Sequence, residues 1–229
     1  MWSMVRGSEG SEVRSVLTGI RKAAERWDRS SPMPLLYPFV MTAKEKAVFD
    51  REVGHASAYL EFGLGGSTLR ALQKSSARIV SVESSPGWLK TMRRYRAVRK
   101  AEASRLLIVP VDIGPTRAWG YPQGIAHAPK FSAYSSAVFE RVDTSDVGVV
   151  LVDGRFRVAC TLKFILTRTD RRAARIMIHD FWNRRHYHSL LRHLDVLDGT
   201  DSLGTFAIRP DVDLERVAAD HRRFEQDPR

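Results

Sequence analysis

The sequence predicts an α/β fold: a doubly wound seven-stranded sheet, mostly parallel, ending in an antiparallel hairpin. Three observations predict it. Short apolar runs near 58–62, 78–82, 105–110, 147–152 and 174–179 alternate with segments that read as helices, the pattern of a parallel sheet covered on both faces. Two further runs, 194–198 and 203–209, are joined only by Asp198-Gly-Thr-Asp-Ser, which is too short for a crossover helix and makes them antiparallel neighbours. Finally, 229 residues with 43% apolar content suffice for one sizeable core.

The elements follow in order. Val13, Val16, Leu17, Ile20, Ala24 and Trp27 keep a helical period. Pro32, Pro34 and Pro38 force an extended segment over 33–40. Thr42 caps the next helix, with Glu45 in the capping-box position. Residues 1–55 thus read as a helical extension that either covers a substrate site or flanks the sheet. Residues 56–212 form the main domain and 213–229 a polar tail. Within the domain, helices are expected near 67–75, 86–99, 156–167 and 184–193. The stretch from Asp112 to Phe131 is dense in Gly, Pro and aromatic residues and reads as a structured loop leaving the carboxyl edge of the sheet. Trp119, Tyr121 and His127 on it either line a cleft or pack among themselves.

The most informative motif is Tyr59-Leu-Glu-Phe-Gly-Leu-Gly-Gly-Ser-Thr68, followed by Ile79-Val-Ser-Val-Glu83. Gly63, Gly65 and Gly66 let a ligand approach the backbone. Ser67 and Thr68 sit at a helix start, where exposed N–H groups favour an anion. Glu83 ends the second strand 22 positions after Glu61, the spacing at which a nucleotide-binding βαβ unit sets an acid against ribose hydroxyls. The third glycine of G-x-G-x-x-G is missing, and Glu61 would repel a pyrophosphate but suits an ammonium. An adenosine-type ligand other than NAD is expected.

E-x-G-x-G-G-S-T with its V-E strand end resembles the first motifs of class I S-adenosylmethionine-dependent methyltransferases. The resemblance continues through Ile108-Val-Pro-Val-Asp112-Ile-Gly114, Val149-Val-Leu-Val-Asp153-Gly-Arg155 and Ile176-Met-Ile-His179-Asp180, covering roughly residues 56–210. It implies a Rossmann-like sheet with S-adenosylmethionine as cofactor. Glu61, Gly63, Gly65, Gly66, Ser67 and Thr68 would hold the methionine end, Glu83 and Ser84 the ribose, and Asp112 and Ile113 the adenine side. Asp153 would border both cofactor and acceptor. The Asp153-Gly-Arg-Phe-Arg and His179-Asp-Phe-Trp-Asn pair is similar to a bacterial group whose acceptors are unspecified.

Chemistry belongs at the ends of the fourth and fifth strands. Methyl transfer to a hydroxyl is a direct displacement that needs an aligned nucleophile and a base for its proton. Asp153, His179 and Asp180 are the catalytic candidates, and Trp119, Tyr121, Trp182 and Asn183 the substrate candidates. Asp153, Asp180 and Asn183 form an alternative oxygen-ligand set for Mg²⁺. Metal-dependent catechol-type enzymes have Asn where this chain has Phe181, so a metal-free site is the preferred expectation.

Composition bounds the function classes. No apolar run of 18 residues exists, nor the apolar centre of a secretory signal, and Cys160 is the only cysteine. These point to a cytoplasmic protein without a membrane span, intrachain disulfide or cysteine-cluster metal site. The net charge of +11 is mostly arginine, clustered at 93–100, 168–175, 184–185 and 222–223, and favours an anionic partner. The preferred function is O-methylation of a small or saccharide-like acceptor. The alternatives are an RNA methyltransferase using the basic surface, and a non-catalytic cofactor-binding module. Oligomeric state is left open.

Overall fold

A computed structural model describes residues 8–168, 170 and 174–229, with side chains from residue 18 onward. Val13, Val16 and Leu17 of the first helical stretch, and residues 171–173 of the second arginine cluster, lie outside those descriptions. Strands β1 (Ala58–Phe62), β2 (Arg78–Glu83), β3 (Leu106–Pro110), β4 (Val149–Val152), β5 (Arg175–Ile178), β6 (Leu194–Thr200) and β7 (Leu203–Ile208) form one sheet in the order β3-β2-β1-β4-β5-β7-β6. β1 to β5 pair in parallel, while β7 is antiparallel to both β5 and β6. The chain reverses its direction of travel between β1 and β4, which opens the carboxyl ends of these central strands to a ligand.

Alternation along the strands builds two cores. Leu60, Phe62, Val150 and Val152 face one side, packed with residues of α6 (Ser132–Arg141), α7 (Arg157–Thr167) and α8 (Leu214–Phe224). Tyr59, Val149 and Leu151 face the other, packed with α2 (Ala43–Gly54), α3 (Gly66–Lys74), α4 (Pro86–Met92) and α5 (Arg96–Glu102). Both faces being apolar, β1 and β4 are buried throughout.

The structure departs from the sequence reading in several elements. The expected helix 86–99 is two helices, broken at Arg93–Tyr95; Ser85 caps the first, its Oγ accepting from Trp88 N at 3.2 Å. Residues 132–141, unassigned by pattern, form α6. The segment Arg185–Arg192 is a 3-10 helix. Residues 213–229, read as a polar tail, carry a helix: Asp213 caps α8, and Val217 is buried against the core. β6 runs two residues past the expected 198, β7 ends one residue short of 209, and they meet in a two-residue turn, Asp201-Ser202, with Asp201 at φ +52°.

Among its described side chains, the first helix, α1 (Ser8–Arg29), leaves its apolar positions exposed: Trp27 is 78% exposed, and Ile20 and Ala24 are exposed too. Its firm link to the body is Asp28, whose carboxylate accepts from Leu35 N and Leu36 N at 2.8 Å each. The extended strap after it lies on the α3 side of the sheet. Tyr37 donates to Gln73 Oε1 at 3.2 Å, Gln73 Nε2 to Pro34 O at 2.6 Å and Tyr95 to Leu36 O at 3.2 Å. No helix among the described residues is long and apolar enough to cross a membrane.

Candidate active site

The turn after β1 is drawn tight against the start of the segment after β4. Gly63 has φ +113°, and a Cβ there would sit 3.0 Å from Gly154 N; Gly154 N itself donates to Phe62 O at 2.6 Å. The three glycines differ in what surrounds them. Gly65 has nothing within 4 Å of its Cβ position, whereas a Cβ on Gly66 would fall 2.1 Å from Pro38 O. Gly66 therefore accommodates the strap, and Gly65 faces open space.

Glu61 turns inward. It has no accessible surface, and its carboxylate accepts from Tyr59 Oη at 2.9 Å, Ser67 Oγ at 2.8 Å and Thr68 Oγ1. Burial pushes its pKa to about 7 against the pull of these hydroxyls. As the penultimate residue of a buried central strand it engages the hydroxyls of Ser67 and Thr68. Glu83 is also largely buried. Its Oε1 accepts from Ser84 N at 2.8 Å and Ser85 N at 2.6 Å, and burial raises its pKa to about 7. Ser84 is buried beside it and Ile113 is fully buried beyond β3. Asp112 is exposed, paired with Lys130 Nζ at 2.6 Å and accepting from Gly114 N at 2.8 Å.

At the ends of β4 and β5 the three catalytic candidates come together. His179 Nδ1 lies 2.9 Å from Asp153 Oδ1, and His179 Nε2 lies 3.9 Å from Glu45 Oε2. Burial lowers the imidazole pKa, but the hydrogen bond and charge of Asp153 outweigh it and the net direction is up. Burial likewise raises the Asp153 carboxyl, and His179 and Arg157 more than reverse it.

Two residues the sequence reading did not place here complete the group. Glu45 is the capping-box acid of α2, accepting from Thr42 N at 2.8 Å, and it also accepts from Ser202 N at 2.9 Å, Ser202 Oγ at 2.6 Å and Leu203 N at 3.1 Å. It ties the N-terminal region to the hairpin turn. Arg157, almost wholly buried in the first turn of α7, donates to Gly154 O and Asp153 O at 3.0 Å each and to His179 O. It pairs with Asp153 and Asp180 at 3.2 Å each, and Asp180, at φ +59°, also meets Arg184 at 2.9 Å.

This arrangement does not fit the divalent ion considered for Asp153, Asp180 and Asn183. The Arg157 guanidinium bridges the two carboxylates, and Arg184 adds a second cation at Asp180. Among the described residues, no group of three or more His, Cys, Asp or Glu is placed to hold a metal.

An open cleft of about 630 Å³ adjoins the group, lined by Val40, Met41, Thr42, Glu45, His179, Asp180, Asn183, Asp201 and Ser202. Asn183 is thus on the cleft wall. The aromatic candidates do not converge on it. Trp119 is 77% exposed at φ +62°. Trp182 packs on Phe181 and Phe206, and its Nε1 donates to Leu203 O at 3.2 Å. Tyr121 stacks on Arg155 instead, and His127 packs over Gly114, whose φ of +83° and ring contact exclude any side chain.

A switch-point sheet in this strand order, with acids at the ends of β2 and β4, defines the class: the chain has the fold of class I S-adenosylmethionine-dependent methyltransferases. Solved structures agree. It is similar to a methyltransferase-like protein from Silicibacter pomeroyi, with 28% identity over 84% of this chain and 98% of that one, at a TM-score of 0.73. It is also similar to the S-adenosylhomocysteine-bound methyltransferase PaMTH1 of Podospora anserina (15% identity, 92% and 100% covered, TM-score 0.53). A third likeness is to an O-methyltransferase from Bacillus cereus in complex with S-adenosylhomocysteine (12%, 85% and 91%, 0.51). No family model and no curated protein matches the chain. The last two likenesses show the fold alone.

Proposed function

We propose that this protein transfers a methyl group from S-adenosylmethionine to a hydroxyl of a small, polar acceptor, with His179 as general base. The observation that carries this reading is the Asp153–His179 hydrogen bond at the edge of the cleft. Asp153 accepts from Nδ1, which orients the ring and leaves Nε2 on the cleft side as the basic atom. Asp153 is then a positioning residue. Asp180, held by two arginines, shapes the floor, and Asn183 contributes a hydrogen-bonding wall.

The open space at Gly65 and the buried acid at Glu83 support the cofactor reading. The cofactor, when bound, supplies an electrophilic methyl group on sulfur. The Gly63–Gly65 backbone would hold its methionine end, with Glu61 stiffening the turn from below through Ser67 and Thr68. Glu83 would hold the ribose hydroxyls and the segment from Asp112 to Ile113 the adenine side. Residues 1–55 act as the acceptor-side cap, since Val40, Met41, Thr42 and Glu45 line the cleft with His179.

The RNA alternative gains little from the arginines. Arg93 pairs with Glu102 at 2.7 Å, Arg99 donates to Arg93 O at 2.6 Å, and Arg168 is buried on Thr144 O at 2.9 Å. These three arginines have partners within the scaffold. Calorimetric titration with S-adenosylhomocysteine and NAD, followed by methyl-transfer assays on hydroxylated acceptors and on single-stranded RNA, tests the proposal. Binding of NAD alone overturns it. Binding of S-adenosylhomocysteine without turnover on any acceptor favours the non-catalytic module.

A further inference from the structure

Arg155 follows Gly154 at the end of β4 and is only 7% exposed. Its Nε and Nη1 are fully enclosed and have no hydrogen-bond partner among the described residues. The neighbouring acids are already engaged, Asp153 and Asp180 with Arg157 and Asp180 also with Arg184. Instead of a carboxylate, Arg155 faces an aromatic ring: its Cζ lies 4.1 Å from the centroid of Tyr121, and Arg117 approaches the same ring at 5.7 Å. A buried guanidinium with empty donors is costly, because the water it gave up is not replaced. Burial raises the Tyr121 phenol pKa, yet the charges of Arg155 and Arg184 and their hydrogen bonding to the phenol bring the net direction down. The phenol therefore occupies a place electrostatically suited to an anion.

We propose that Arg155, with Arg117 and Arg184 around Tyr121, binds a carboxylate or phosphate group carried by the methyl acceptor, which makes the substrate a small anionic molecule. This rests on the methyltransferase reading above. Planar guanidinium donors match either group in pairs. Arg155 follows Asp153 by two residues and Arg184 follows Asp180 by four, which links the cluster to the acceptor side, while Gly120, next to Tyr121, also lies near Ser84 on the ribose side. Depth favours a small molecule, since the phosphates of a nucleic acid are met by arginines exposed on a surface. Tyr121, on the loop between β3 and α6, swings aside to admit the anion.

The test is calorimetry on the full chain saturated with S-adenosylhomocysteine, titrated with inorganic phosphate, benzoate and neutral benzamide. Phosphate or benzoate should bind saturably and benzamide at least tenfold more weakly. Arg155→Gln should weaken the anion at least tenfold while S-adenosylhomocysteine affinity stays within twofold. Should that variant not fold, Arg117→Gln, on an exposed position, should still weaken the anion severalfold. Equal binding of benzoate and benzamide, or anion binding unchanged in the variants, overturns the inference. Loss of S-adenosylhomocysteine affinity in Arg155→Gln also overturns it, by placing this arginine on the cofactor. If the wild-type protein binds no S-adenosylhomocysteine, the methyltransferase reading is what fails. The same anion titration without it then decides the anion site separately.

Discussion

His179 and Asp153 meet across the ends of two neighbouring parallel strands, Nδ1 2.9 Å from Oδ1, with the imidazole's far nitrogen turned toward Glu45 and the cleft. The parallel register that sets Val152 beside Ile178 delivers the two residues that follow side by side. The pair is therefore a product of topology and not of sequence proximity.

Its first consequence is a pH profile. Only neutral imidazole is a base, and Asp153 holds the His179 pKa above the ordinary 6.5. Turnover should rise with pH through a value above 6.5. His179→Gln should lower kcat by about 10²–10⁴-fold with S-adenosylhomocysteine affinity retained. Asp153→Asn should move the rising limb to lower pH; a limb that stays in place in this variant counts against the pairing.

Glu83 gives a second. Burial holds its carboxyl at about 7, and the ionised form is the better acceptor for ribose hydroxyls. Cofactor affinity should therefore increase from pH 6 to pH 8 and level off above. Glu83→Gln should flatten that dependence and weaken binding by about 1–3 kcal/mol. Titrations of S-adenosylhomocysteine at several pH values read both effects.

Arg157 gives a third. Its removal leaves Asp153 and Asp180 facing each other, half-buried, without their shared cation, and strips donors from three backbone carbonyls. Arg157→Ala should cost about 3–5 kcal/mol in urea unfolding, and Arg157→Lys should recover only part, because one ammonium cannot replace the fork. A loss under 1 kcal/mol for the alanine variant would show that the arginine is not the anchor of these strand ends.

How much of this was legible in the sequence follows from what each signal depends on. The five parallel strands and the closing hairpin were legible, because apolar runs and the short Asp198–Ser202 link are local. The Thr42–Glu45 capping box was legible too, but not that Glu45 reaches Ser202 and His179, a contact between residues more than 130 positions apart. Arg157 reads as one more arginine in a basic chain, and only its burial distinguishes it. Glu61 is a related case: the motif marks the turn, but not that two-sided burial of the strand ties the carboxylate to Tyr59, Ser67 and Thr68. The helix Ser132–Arg141 has a weak sequence signal because Ser-Ala-Tyr-Ser-Ser carries little periodicity. Trp119 and Trp182 are expected at the cleft from their places after the third and fifth strands, while the fold exposes one and packs the other on Phe206.

The arginine between the acids also predicts insensitivity to chelators. With Asp153 and Asp180 bound to Arg157, a divalent ion has no paired carboxylates to recruit, so methyl transfer should persist in excess EDTA. Activity lost on chelation and restored by Mg²⁺ would place a metal elsewhere in the site or require Arg157 to move.

The two adjacent glycines of the first turn make the sharpest comparison. At Gly66 a methyl group would collide with Pro38 O at 2.1 Å and with Phe39 Cβ at 2.6 Å, and the first of these is backbone that cannot rotate away. At Gly65 a methyl group meets nothing, and φ is −179°, open to any residue. Gly66→Ala should therefore act on the protein: the strap over 33–40 lifts, unfolding stability falls by about 1–3 kcal/mol, and limited proteolysis cuts between residues 33 and 40. Gly65→Ala should leave stability and the proteolytic pattern unchanged but place its methyl where the cofactor approaches the backbone, weakening S-adenosylhomocysteine at least tenfold. Measured side by side, the pair separates the glycine that serves the fold from the one that serves the ligand. Equal cofactor affinity in Gly65→Ala and wild type would remove Gly65 from the binding turn.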